Sequence, residues 1–79
     1  MGLAKTEKEW ADRAARFLKA ELKRADVTYE QLAEKLKEHG FDETKASIAN
    51  KLARATISAA FLLACIAVLG LTGIDLEDL

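Results

Sequence analysis

Few side chains in this sequence could carry covalent chemistry. His39 is the one imidazole and Cys65 the one thiol. A nucleophile needs a base beside it and a third group to orient that base, and these two lie on separate segments with no such third group. His39 falls at a helix end, where the dipole favours a basic side chain anyway. Cys65 falls inside an apolar run, where a thiol behaves as a small hydrophobe. Asp75, Glu77 and Asp78 form an acidic tail of the kind that is usually solvated. Metal-ligand spacings and glycine-rich phosphate loops are missing from the sequence. The expectation is a protein that is not an enzyme, with no cofactor, no metal and no small-molecule substrate.

The polar residues are better suited to binding. From Thr44 to Thr56 the chain carries Lys45, Lys51 and Arg54 and no acid. Helical spacing brings Lys51 and Arg54 together, with Asn50 beside them and Ser47 one turn back. This makes a polar stripe behind Ile48 and Leu52. On duplex DNA, Lys45, Lys51 and Arg54 would meet phosphates while Ser47 and Asn50 would meet base edges. The same stripe would also serve as a plain solvated helix face. Asp42 and Glu43, at the helix N-terminus, complement its dipole and would repel a phosphate backbone there.

Net charge does not help DNA binding, since 12 basic residues meet 13 acidic ones and dedicated binders usually carry a basic excess. The distribution is uneven: residues 1–26 hold seven basic and five acidic groups, residues 27–56 five of each, and residues 57–79 three acids alone.

Four helices must position these groups, and their caps mark them as clearly as their periodicity. The first starts at Thr6, with Glu9 placed to complete a capping box. Its inward face is Trp10, Ala14, Phe17, Leu18, Leu22 and Ala25, and Asp26 ends it. The second starts from the capping box Thr28/Gln31, with Val27 stapled onto Leu32. It closes at Gly40, with Phe41 folding back on Leu36 as in a Schellman ending. The third is capped by Asp42 or Thr44 and turns Ile48, Leu52 and Ala55 inward. The fourth has Ser58 as cap, Ile57 against Leu62, and Gly70 with Leu71 closing on Ile66. The tail from Ile74 to Leu79 reads as an extended segment or a further helical turn, with the pattern leaning to extended.

Ile57 to Ile74 holds eighteen positions without a charge, near the ~18 apolar residues of a membrane span. Ser58, Gly70 and Gly73 cut this to a helix of about eleven residues, too short to cross a bilayer at ~1.5 Å per residue. Within the helix, Leu62, Ile66 and Leu69 make one face and Phe61, Cys65 and Val68 another, with Leu63 and Ala67 in a third direction. A helix apolar all round must be buried all round. Either the three other short helices enclose it within one chain, or a second copy of the chain covers what they leave, which is the expectation here. The expected homodimer interface is Phe61, Cys65, Val68, Ile74 and Leu76. The polar start Met1–Thr6 is unlike a signal peptide and the lone thiol suits a reducing compartment, so the expected location is cytoplasmic, with no membrane.

The stretch TYEQLAEKL, Thr28 to Leu36, resembles the first helix of the helix-turn-helix in phage-repressor-like DNA-binding domains. The run AAFLLACIAVLGLTGIDLEDL resembles the helix and tail that come after that motif in the same superfamily. The resemblance implies that the third helix, Thr44 to Arg54, is the recognition helix in the major groove of double-stranded DNA, and that the domain acts as a dimer. ETKASIANKLARATISAAFLLACIAVLG, Glu43 to Gly70, is also similar to a pattern shared by short bacterial domains of unknown function. The chain departs from the repressor pattern in its longer turn, His39 to Glu43, in Tyr29 where a phosphate-binding glutamine is frequent, and in Leu52 lying one place late.

The expected fold is thus all-α: a single 79-residue domain forming a compact four- to five-helix bundle. It contains a helix-turn-helix-like pair with a long turn and a short C-terminal extended or helical tail. The expected function is DNA binding by a small bacterial regulator. The competing class is a protein–protein interaction or assembly module that keeps the fold without DNA binding.

Overall fold

A computed structural model describes residues 2–79. The described residues form four α-helices and no strand: α1 (Glu7–Ala25), α2 (Tyr29–Lys37), α3 (Lys45–Arg54) and α4 (Ala59–Val68), followed by a short 3₁₀ turn at Leu76–Asp78. The tail is therefore not an extended segment. Asp75 caps the 3₁₀ turn by accepting from the Glu77 backbone N–H at 3.0 Å.

Each α-helix begins where a hydroxyl side chain satisfies an orphan backbone N–H. Thr6, Thr28, Thr44 and Ser58 are the four N-caps. The Thr28/Gln31 capping box forms in full. At α1 only half a box forms, because the Glu9 carboxylate accepts from the Lys5 backbone N–H instead of that of Thr6. At α3 the cap is Thr44 and not Asp42, and its reciprocal partner is Ser47.

All four ends share one device. A residue in the left-handed region follows the helix, and the next backbone N–H reaches a carbonyl five residues back. These bonds are Val27 to Leu22, Phe41 to Leu36, Thr56 to Lys51 and Leu71 to Ile66, at 2.9–3.1 Å. The left-handed residues are Asp26, Gly40, Ala55 and Gly70. Glycine takes this conformation freely, aspartate tolerates it and alanine resists it. Ala55 at φ +54° is thus a stop that its residue type does not advertise.

These caps bring four apolar stripes together. Leu18, Leu22, Leu32, Leu36, Ile48, Leu52, Phe61 and Cys65 form the core with Ala15 and Ala33. α2 packs on α3 and α4, and α1 lies across α3 and α4. On α1 the fully buried positions are Ala15, Leu18 and Leu22, while Ala25 is exposed rather than inward. α3 and α4 are bent by 120° at their break. Among the described residues no single helix is long and apolar enough to cross a membrane.

The shared ending predicts opposite effects for two substitutions. A Cβ added at Gly40 meets nothing within 4 Å, so Gly40→Ala should destabilise through φ alone, by about 1–2 kcal/mol. Ala55→Gly relieves the same penalty, offset in part by glycine's own entropy and by the loss of a methyl packed on the core, and should stabilise by up to about 1 kcal/mol. Urea unfolding of both variants measures the two signs.

Candidate nucleic-acid interface

At ~100° per residue, α3 divides into three sectors. Ile48 and Leu52 are buried, with Ala55 packed beside them. The opposite half-cylinder, roughly 180° wide by the same rotation, runs from Lys45 on one rim to Arg54 on the other. Between the rims lie Ala46, Ala49, Asn50 and Ala53, all exposed except the half-buried Ala49. This half-cylinder carries no acid. Asn50 and Arg54 make no side-chain hydrogen bond or ion pair among the described residues. Lys45 stands 3.8 Å from Glu30, both side chains well exposed, and such pairs contribute little and break readily.

The third sector, Ser47 and Lys51, is engaged by the protein itself. The Ser47 hydroxyl accepts from the Thr44 backbone N–H at 2.8 Å and lies 2.7 Å from Glu43 Oε1, to which it donates. Its hydroxyl is thus committed to the capping box and to Glu43. Lys51 Nζ donates to Glu43 Oε2 and sits 5.1 Å from the centre of the Phe61 ring, a cation–π position. Phe41 meets the same ring edge-on, with centroids 6.1 Å apart. Lys51 is therefore turned under the helix toward α4 and does not join Arg54 on the outside.

Glu43 changes its meaning too. It is not an exposed charge at the helix start, because its side chain is only 8% exposed. Burial pushes its carboxyl pKa up, but the hydrogen bonds from Lys51 and Ser47 and the Lys51 charge outweigh that and leave it below the ordinary glutamate value. Of the two acids at this helix start, Glu43 is thus neutralised within the fold, while Asp42 stays exposed. The nearby thiol of Cys65 is pushed up to about 12 by burial and by the Glu43 charge, with Lys51 opposing. It stays protonated and unreactive at neutral pH.

The expected dimer residues separate. Phe61 and Cys65 are 1% and 0% exposed and belong to the core of one chain. Val68 is half-buried against that core, Ile74 is half-buried, and Leu76 is exposed. The outward arc of α4 is instead Ala59, Ala60, Leu63 and Ala67, with Leu63 at 66% exposure. The helix is apolar all round, yet one arc of it is not covered. No polar residue marked its inner side, so the wheel could not tell the two apart.

A groove of about 620 Å³ lies between α1 and the tail, lined by Arg13, Arg16 and Arg24 but also by Glu21, Asp75 and Asp78. Its mixed charges give no single-sign field. His39 is exposed past the end of α2, far in sequence from the buried thiol. Among the described residues no group of three or more His, Cys, Asp or Glu is placed to hold a metal ion.

A family model described as a domain of unknown function (DUF6471) matches residues 10–74, and the chain belongs to that family. No curated protein and no solved structure matches it.

The buried pair makes a pH-dependent prediction. Because the Glu43 pKa is lowered in the folded state, its stabilisation is complete above the ordinary glutamate range and is lost as pH falls through the folded value. Glu43→Gln should cost about 1–2 kcal/mol at pH 7, less than for a fully buried pair because Lys51 is partly exposed. The gap between wild type and variant should close on acidification, as denaturant titrations at several pH values would show.

Proposed function

We propose that this DUF6471 domain is a helix-turn-helix DNA-binding domain in which α2 and α3 form the motif and the outer half of α3 enters the major groove. The observation that carries the reading is the acid-free half-cylinder with a cation on each rim. A helix about 10–12 Å across fits a groove about 12 Å wide. Rim cations then meet the phosphates on either side, and the centre meets base edges. Lys45 and Arg54 take the rims, Ala46 and Ala53 the centre, and Asn50 stands between the centre and the Arg54 rim. The cap hydroxyl Ser47 and the inward Lys51 hold α3 in place without touching the nucleic acid.

We also propose that the domain acts as a homodimer, supported by the uncovered arc of α4. Leu63 in water forgoes roughly 1.5–3 kcal/mol of burial, and an isologous contact between two copies of the arc would recover it. A dimer sets two recognition helices on successive groove turns. Leu63 also supports the competing reading, an interaction module without DNA binding.

Fluorescence anisotropy with mixed-sequence duplex at several salt concentrations tests the DNA reading. Affinity should fall steeply with salt, and Arg54→Ala should make the slope shallower by about one. The double variant Glu43→Gln/Lys51→Met, which removes both internal charges together, should leave the slope unchanged. An absence of binding at low salt would favour the interaction module. For the dimer, light scattering at micromolar concentration should give twice the chain mass, and Leu63→Glu should halve it. A monomeric wild-type mass would defeat the dimer.

A further inference from the structure

We infer that the base pairs read by α3 are adenine–thymine pairs, an inference that rests on the DNA-binding reading above. Each base edge in the major groove demands its own partner. Guanine O6 and N7 call for an arginine or lysine fork, cytosine N4 for an acceptor such as a carboxylate, adenine N6 and N7 for an amide, and the thymine C5-methyl for an apolar contact. Between its two rims the half-cylinder answers only the last two. Asn50 is its one amide, exposed, with no internal hydrogen bond to its side chain among the described residues.

Beside Asn50 stand the alanine methyls of Ala46, Ala49 and Ala53. No acid lies on this face to accept from cytosine. The two cations sit on opposite rims, where the phosphates run, and Arg54 and Lys45 are about 180° apart at 100° per residue. In this docking both cations are engaged by phosphates, which leaves guanine without a fork.

Ser47, whose hydroxyl would have been indifferent between bases, is withdrawn by its bonds to Thr44 and Glu43. Lys51, which would have favoured guanine, is withdrawn by Glu43 and the Phe61 ring. The internal contacts that fix α3 thus also remove from its surface the two side chains that would blur the preference. Short alanines let the helix axis sit close to the bases, so that the Asn50 amide can reach an adenine edge.

The test uses the full chain and fluorescein-labelled duplexes of mixed A/T or mixed G/C sequence at one low salt concentration. The A/T duplex should bind at least about fivefold tighter, the lower end of what one bidentate base contact supplies. Replacing thymine by deoxyuridine, which removes only the major-groove methyl, should weaken binding several-fold. Replacing adenine by 7-deazaadenine, which removes N7, should weaken wild type but leave Asn50→Ala unaffected, since that exposed position does not contribute to the core. Equal binding to both compositions overturns the inference while leaving DNA binding intact. So does an A/T preference indifferent to both analogues, which would mean that groove shape is being read. Failure to bind any duplex overturns the DNA reading itself.

Discussion

The buried carboxylate of Glu43 is the contact on which the rest of this small domain is registered. It precedes the Thr44 cap, receives Ser47 from the first turn of α3 and Lys51 from the next. Through the Lys51 ammonium it touches the ring of Phe61 on α4. A carboxylate this far from water is tolerated only when its lone pairs are occupied. Among the described residues no buried side-chain polar atom lacks a partner. α3 can rotate about its axis only by breaking this set of bonds. The side that faces outward is therefore settled by an ion pair on its flank as much as by Ile48 and Leu52 beneath it.

That arrangement bears on function through subtraction. Of the five polar residues that form a stripe on the α3 sequence, two are held inside by the pair and the capping box, and three remain outside. What remains is narrower than the stripe suggested but better shaped. Its cations stand on the rims and its small residues lie in the centre, and of the two acids at the helix start Glu43 is paired within the fold while Asp42 stays exposed. The acids of Glu30 and Glu34 do stay in the open near Lys45, so the N-terminal rim is the less basic of the two.

Helix boundaries were legible because capping is local chemistry. Thr28 with Gln31, Gly40 with Phe41, Ser58, and Gly70 with Leu71 each act within five residues, and each forms in the structure. Where the local signal was ambiguous, the reading failed in proportion. Thr44 and Asp42 compete as caps on equal terms until Ser47 is seen to answer Thr44. Ala55 carries a left-handed turn that nothing in an alanine announces. Glu9 accepts from the backbone N–H before the cap instead of the cap's own.

Residue order alone was enough for an all-helical chain with four helices at nearly their observed limits, and for the apolar positions of α2 and α3 that meet in the core. Those features depend on hydrogen bonds and periodicities a few residues long. The direction in which the uniformly apolar α4 turns was left to packing. Phe61 and Cys65 went inward and Leu63 outward because α1 and α2 present their own apolar faces on that side, a fact no wheel of α4 alone contains. Packing likewise settled that Lys51 bonds Glu43, eight positions back across a helix start. A partner at that distance is found only when the chain folds on itself, and spacing alone could equally have sent the ammonium into water.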